Sequence, residues 1–362
     1  MVKFINFGCW NEGASREDAP LKTVIRQSMD HNPDFYIING DNYYQPKDGE
    51  VKMVSHEEIN EGLKYLSDTN KEVFLLMGNH DLEITGLSHT CETIIAEKAY
   101  SNFNLPTDLV MFKEIDNTII IMIDTNMYVD EDLLCYNEIL TQPLETNIEV
   151  FQSHQTKRIA DRLSGKTYDN IIVCGHHPLI GFKNQKMKKD KKGKIKLKGG
   201  IEHIGTECFD LLFDTIRPHS NQFYYFCADI HNYQNGTVRI TKHGESMIIN
   251  QYIVGTGGTE LDEDYNGRYN PNFETEGASK DIINYVTHIP KGSNYRIDYD
   301  LSEHWYDFGY VVVDIVDNNI SVVPIKLGIM SSVGGKKRKS RRTREKKSRG
   351  RGKTHKYRIR RR

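Results

Sequence analysis

Phe35-Tyr36-Ile37-Ile38-Asn39-Gly40-Asp41-Asn42-Tyr43-Tyr44 is an apolar run that stops at a glycine and delivers a carboxylate, an amide and two phenols. Its first four residues read as a buried strand, and Gly40 marks the place where that strand turns. The same grammar recurs twice. Val73-Phe74-Leu75-Leu76-Met77 runs into Gly78-Asn79-His80-Asp81, and Ile171-Ile172-Val173-Cys174 runs into Gly175-His176-His177-Pro178. Strands of an α/β sheet can bring loops from one edge to a common point. Oxygen and nitrogen donors that meet there make a site for one or two hard or borderline cations, which points to hydrolysis at phosphorus.

Around these tips the first 130 residues alternate strand and helix. Strands are expected at 3–8, 35–39, 73–77, 109–115 and 118–124, with helices near 19–31, 56–67 and 90–100. A longer helix over about 145–163 carries Ile148, Phe151, Ile159, Ala160 and Leu163 at roughly helical spacing. Strand 170–174, a helix through 208–213 and strand 222–228 follow. Beyond 235, strands at 237–240, 247–254, 309–314 and 320–325 lack intervening helices, and suggest a second, largely antiparallel sheet. The polar, glycine-containing stretch 255–280 reads as a long loop.

Charge divides the chain. Residues 336–362 hold 17 of its 48 Lys and Arg and one of its 50 acids, leaving 31 basic against 49 acidic residues in the body. The expected organisation is a domain over 1–329 and a disordered Lys/Arg-rich tail over 330–362, too poor in apolar residues to fold alone. Such a tail could bind nucleic acid or an acidic protein, or act as a nuclear signal. Tails of this composition resemble those on many proteins of large DNA viruses. A second basic run, nine lysines between Lys183 and Lys198 with Asp190 as its one acid, lies directly after the GHHP loop. It would steer phosphorylated substrate, with Lys186 and Lys188 as candidate contacts.

No apolar run reaches the length of a membrane helix. The six cysteines are scattered without a CxxC pair and read as core positions, favouring a reducing compartment over a disulfide framework. The expected location is intracellular, cytoplasmic or nuclear, or within a virion.

GD, GNHD and GHHP in this order behind strands resemble the calcineurin-like metallophosphoesterases. Asp41-Asn42-Tyr43-Tyr44 resembles the purple acid phosphatase branch. The resemblance spans about residues 3–327 and implies an α/β fold of two mixed sheets face to face with helices outside, a four-layer α/β/β/α sandwich. It implies two divalent or trivalent metal ions (Fe, Zn or Mn, with Mg at one site) sharing a hydroxide that attacks phosphorus in line. By the same resemblance Asp41 bridges both ions, Tyr44 and His231 bind the first, and Asn79 and His176 bind the second. His80 protonates the leaving oxygen, and Asp81 orients that imidazole. His203 is a candidate substrate contact.

Two motifs depart from the family pattern. Cys9, in Gly8-Cys9-Trp10-Asn11-Glu12-Gly13, stands where the family has an Asp, and Asp229, in Ala228-Asp229-Ile230-His231, stands where it has a His. A thiolate suits softer ions and a carboxylate harder ones, so both are candidate ligands of a mixed-metal pair. Asn11 and Glu12 are neighbours able to compensate. The implied activity is hydrolysis of phosphate monoesters. The alternatives are a nucleic-acid phosphodiesterase and a decayed scaffold that binds through its tail.

Overall fold

The structure, a computed structural model, describes residues 1–44, 47–48, 51–52, 56–82, 91–129, 135–189, 195–262 and 285–328. The tail and most of the 255–280 loop therefore lie outside the described residues.

Two mixed sheets carry the fold. In the first, the strands run in the order 319–326, 309–316, 2–7, 35–38, 72–75, 103–104. The pairing of Val2–Phe7 with Phe35–Ile38, and of that strand with Glu72–Leu75, is parallel, as the helical crossovers between them require. In the second sheet the order is 285–288, 295–305, 233–242, 245–254, 223–227, 170–174, 118–123, 110–115. Its centre is parallel and its flanks are antiparallel.

Alternation along the second sheet sorts its side chains between two cores. Ile120, Met122, Ile172, Cys174 and Phe226 share one core with Phe4, Phe7 and Ile38 of the first sheet. Phe4 and Phe226 meet edge to face at 6.2 Å between centroids. The intervening residues Ile119, Ile121, Ile171, Val173 and Tyr225 point the other way, against Phe151, Ile159, Leu163, Phe209 and Leu212 of the covering helices. The sheets thus stack face to face with helices outside, the α/β sandwich expected.

The helix Ile148–Leu163 starts at the cap supplied by Asn147, whose side chain accepts from the backbone of Glu149 and Val150 at 2.8 and 3.4 Å. Its buried face reads Phe151, Gln155, Ile159, Leu163. Gln155 is polar there because it holds the strand end at Asp124, accepting from its N–H at 2.9 Å and donating to its carbonyl at 3.2 Å.

Two sequence expectations are corrected, that of a separate sheet after 235 and that of unpaired cysteines. The strands after 235 do not form a sheet of their own. Gly309–Val316 pairs antiparallel with Val2–Phe7 and closes the first sheet, whereas Tyr233–Lys242 and Glu245–Val254 extend the second. The lysine run, to which the sequence assigned no element, falls on a hairpin of two strands, Ile180–Lys189 and Ile195–His203. Cysteine spacing also misled, because Cys91 and Cys135, 44 residues apart, form a disulfide. The pair joins the entry of the helix Glu92–Glu97 to that of the turn Tyr136–Ile139, and the cysteines no longer support a reducing compartment. No helix among the described residues is long and apolar enough to cross a membrane.

Candidate metal centre

The motif-bearing strands of both sheets end on one side of the sandwich, and their tips are pressed together. A Cβ on Gly40 would lie 2.4 Å from the backbone nitrogen of Gly78, and one on Gly78 would lie 2.2 Å from Asp41 Oδ1. Only glycine permits that approach. Behind the tips, Asn6 and Asn39 exchange side-chain amide hydrogen bonds of 3.0 and 2.9 Å across neighbouring strands. Cys9, Asp41 and Asp229 each end their strand with φ of 53°, 53° and 58°, a left-handed turn that costs energy for any residue with a Cβ.

Asp41, buried at the centre, presents its two oxygens to two different sets of donors. Oδ1 lies 3.4 Å from His176 Nε2 and accepts from the His80 backbone N–H at 3.1 Å. Oδ2 accepts from the Tyr44 hydroxyl at 2.6 Å and lies 3.8 Å from Cys9 Sγ. Donor atoms of Cys9, Asp41 and His231 fall within 4.8 Å of one another, as do those of His176, His177 and Asp229.

Proton counting shows what these sets lack. His176 Nδ1 is 2.6 Å from the Asn39 carbonyl oxygen, which can only accept, so Nδ1 carries the hydrogen. In the form that binds a metal, the ring would turn a lone pair at Nε2 toward Asn79 Oδ1 at 3.2 Å, Asp41 Oδ1 at 3.4 Å and Asp229 Oδ1 at 4.0 Å. His231 repeats the arrangement: Nδ1 donates to the Glu260 carbonyl at 2.9 Å, and Nε2 faces the Tyr44 oxygen at 3.1 Å. Lone pairs converging without protons between them are what a cation satisfies, and imidazoles oriented through the far nitrogen are typical of metal ligands. The residues present fit two cations.

His177 has a different role from its neighbour. Thr125 Oγ1 accepts from the backbone N–H groups of His176 and His177 at 3.1 and 3.0 Å, so its own hydrogen goes to His177 Nδ1 at 3.0 Å. The Nε2 of His177 is then protonated and has no lone pair to give a metal. Burial first, and then the His176 ring, holds the His177 pKa down to about 4.

Electrostatics follow the packing. Burial opposes charge on Asp41, yet His176, His80 and the Tyr44 hydroxyl hold its carboxyl well below the ordinary range. Burial, then Asp41, pushes the Cys9 thiol up, and the same two causes raise the Tyr44 phenol. A cation would have to reverse both shifts to recruit a thiolate and a phenolate.

Asp81 accepts from the backbone N–H groups of Gly78 and Asn42, both at 2.8 Å, and from the Asn42 side chain at 3.0 Å. It ties the GNHD turn to the GD turn. Behind it lies Glu97, fully buried, its carboxyl pushed up by burial and then by Asp81. The His80 ring stands at the mouth, 4.7 Å from the Tyr44 ring between centroids.

Other sequence candidates fall elsewhere. The Asn11 amide turns away toward the Ile59 carbonyl at 3.4 Å, and Glu12 accepts from Thr259 Oγ1 and the Glu260 N–H at 2.6 and 2.8 Å. Glu12 therefore props the loop whose Glu260 carbonyl orients His231, instead of replacing the missing Asp. His203 stacks on His288 at 4.1 Å between centroids. Alternation puts it on the opposite face of the hairpin from Glu202, which pairs with Lys183 at 3.1 Å. Lys186 and Lys188 lie in the hairpin strand, but their side chains fall outside the described residues. Sequence reading missed Lys183 as an individual, and missed the carbonyls of Asn39 and Glu260, which carry no side-chain signal.

Asp124, next to the Thr125 that organises both histidines, yields a pH prediction. Its Oδ1 accepts from Tyr136 at 2.7 Å and from Asn126 N–H at 2.9 Å, while Oδ2 has no hydrogen-bond partner among the described residues. Burial pushes this carboxyl up to about 6 from 3.8. The folded state holds a proton that the unfolded state has released, so this stabilisation is present below about pH 4 and lost as pH rises through 6. The loss amounts to about 3 kcal/mol. Denaturant titrations of Asp124→Asn and the native chain from pH 4.5 to 7.5 should diverge by about 2 kcal/mol, the share of the loss that falls in that window, in favour of the variant as pH rises. A difference independent of pH would refute the assignment.

Two mixed sheets with a metal-fitting cluster at their strand ends define a metallophosphoesterase architecture. The chain belongs to the calcineurin-like phosphoesterase family, whose model matches residues 3–233. Members are typically hydrolases that bind two metal ions. Among solved structures it is similar to GAP50, the anchor in the inner membrane complex of Plasmodium, at 14% identity and a TM-score of 0.46, covering 90% of this chain and 84% of that one. It is also similar to PhoD, at 12% identity and a TM-score of 0.46, covering 91% of this chain and 72% of that one. No curated protein matches the chain.

Proposed function

We propose that the chain is a metal-dependent phosphomonoesterase of the purple acid phosphatase type. The observation that carries this reading is the split of Asp41, one oxygen toward His176 and the other toward Cys9 and Tyr44. Cys9, Asp41, Tyr44 and His231 would hold the first cation, and Asp41, Asn79, His176 and Asp229 the second. When bound, the pair supplies a nucleophilic water at neutral pH and neutralises phosphoryl charge.

The remaining work belongs to side chains. His176 and His231 are oriented by the Asn39 and Glu260 carbonyls. His80, fixed through its backbone N–H on Asp41, protonates the leaving oxygen at the mouth of the site. Asp81 acts on His80 by holding the turn that carries it, with its oxygens spent on Asn42 and Gly78. The basic tail over 330–362 would tether the enzyme to nucleic acid or an acidic partner.

Purification without chelator, metal analysis and turnover of an aryl phosphate against branched or single-stranded RNA test the proposal. The expected result is at least one transition-metal equivalent and preference for the aryl phosphate. Cleavage of RNA alone would favour the phosphodiesterase reading. The Cys9 assignment has its own test. Cys9→Asp should shift metal preference from Zn toward Mn or Mg by roughly tenfold or more, measured by competitive loading. Unchanged preference would mean that the thiol is not a ligand.

A further inference from the structure

The chain from Leu179 to Lys183 is fastened onto the second sheet by two buried glutamines. Gln251 Oε1 accepts from Leu179 N–H at 2.9 Å and its amide donates to the Ile180 carbonyl at 2.6 Å. Gln234 does the same for Phe182, at 3.0 and 2.6 Å. Gly181 completes the seating, because a Cβ there would come within 2.6 Å of the Ile230 side chain, between Asp229 and His231. Lys183 is thereby held beside the tip that carries two of the proposed ligands.

Its ammonium makes a 3.1 Å ion pair with Glu202 across the hairpin, and its side chain remains 29% exposed. Asp229 and Asp262 also act on it electrostatically, and Asp262 accepts from the His231 backbone N–H at 3.1 Å. A phosphate ester approaching this cluster meets the carboxylates of Asp41 and Asp229. Lys183, on the segment seated against Ile230, is a positive group within electrostatic reach of the second of them. An ammonium is a compact charge with three donors, able to keep its ion pair and donate to a further anionic oxygen.

We propose that Lys183 is the specificity-determining contact of this site, pairing with the non-bridging oxygen that a phosphate monoester carries as free charge and a diester has esterified. This rests on the phosphoesterase reading above and assigns its substrate class to one residue. A monoester dianion gains a charge-assisted bond, and a diester gains little.

The test uses the full-length, metal-loaded protein, with p-nitrophenyl phosphate and bis(p-nitrophenyl) phosphate as probes. Lys183→Gln should lower the ratio of monoester to diester kcat/KM by about 10- to 100-fold and weaken inhibition by inorganic phosphate to a similar degree. Lys183→Arg should recover most of both, and Glu202→Gln, which breaks the hairpin ion pair but leaves the ammonium, should keep the ratio within about threefold. An unchanged ratio in Lys183→Gln, or an equal fall in Glu202→Gln, overturns the proposal in favour of a purely structural ion pair. If the native protein turns over neither ester, the phosphoesterase reading fails on its own. Calorimetric titration with inorganic phosphate then decides for Lys183, and it is overturned if the native protein and Lys183→Gln bind phosphate equally or the native protein does not bind it.

Discussion

Asp41→Asn is expected to abolish phosphoester turnover, by more than about 1,000-fold in kcat/KM, and to remove at least half of the bound metal. Asparagine tolerates the left-handed backbone at this position, where φ is 53°, so the fold should survive. The electrostatics cannot. One of the two oxygens becomes an NH2 group, which places hydrogens among donors that already lack an electron-pair acceptor, and the central negative charge disappears. Loss of partners that merely surround a ligand costs about 10- to 100-fold, and a group shared by two cations should cost more. His80→Ala is the informative companion. It should lower turnover by about 100- to 10,000-fold while leaving metal content unchanged, since its ring is assigned to proton transfer and the backbone N–H that holds Asp41 remains in the variant. If Asp41→Asn keeps its metal and stays within tenfold of native turnover, the two-cation reading is wrong. Normal turnover in His80→Ala would remove the acid from the mechanism and leave the centre standing.

The second large effect concerns stability. Breaking the Cys91–Cys135 bond frees a stretch with a sequence separation of 44 residues, for which loop-closure entropy gives about 4 kcal/mol. That is a large share of the margin of an ordinary domain. Cys91→Ser/Cys135→Ser, or the native chain under reductant, should unfold at correspondingly lower denaturant concentration. The four remaining cysteines are buried and unpaired, so reductant should have no other disulfide target among the described residues. Equal midpoints with and without reductant would show that the pair does not form in solution. The outcome also bears on compartment, since a bond of this worth is kept where the surroundings are oxidising.

Much of the fold was legible because it is written locally. Apolar runs of four to six residues ending at Gly8, Gly40, Gly78 and Gly175 mark strands and their ends, and a glycine between an apolar run and a metal-binding side chain is a backbone requirement visible in one dimension. The long helix was placed to within three residues at its start. The misplacement there came from Asn147, whose cap sets the boundary more sharply than apolar spacing does. What failed was partner choice. The apolar run 309–314 reads as a strand, but its neighbour, Val2–Phe7, lies some 300 residues away, and nothing local names it. Cysteine pairing failed for the same reason.

The candidate site divides along the same line. Residue types and their order at the strand tips, Cys9 and Asp229 among them, are read from the chain alone, because coordination chemistry depends on which atoms a side chain offers. Which nitrogen of His176 and His231 carries a hydrogen, where Glu12 and Asn11 spend their polar groups, and that Lys183 pairs with Glu202 were decided only in three dimensions. Those properties belong to carbonyls, distances and neighbours from remote segments, and a carbonyl oxygen is the same in every residue until folding aims it at something.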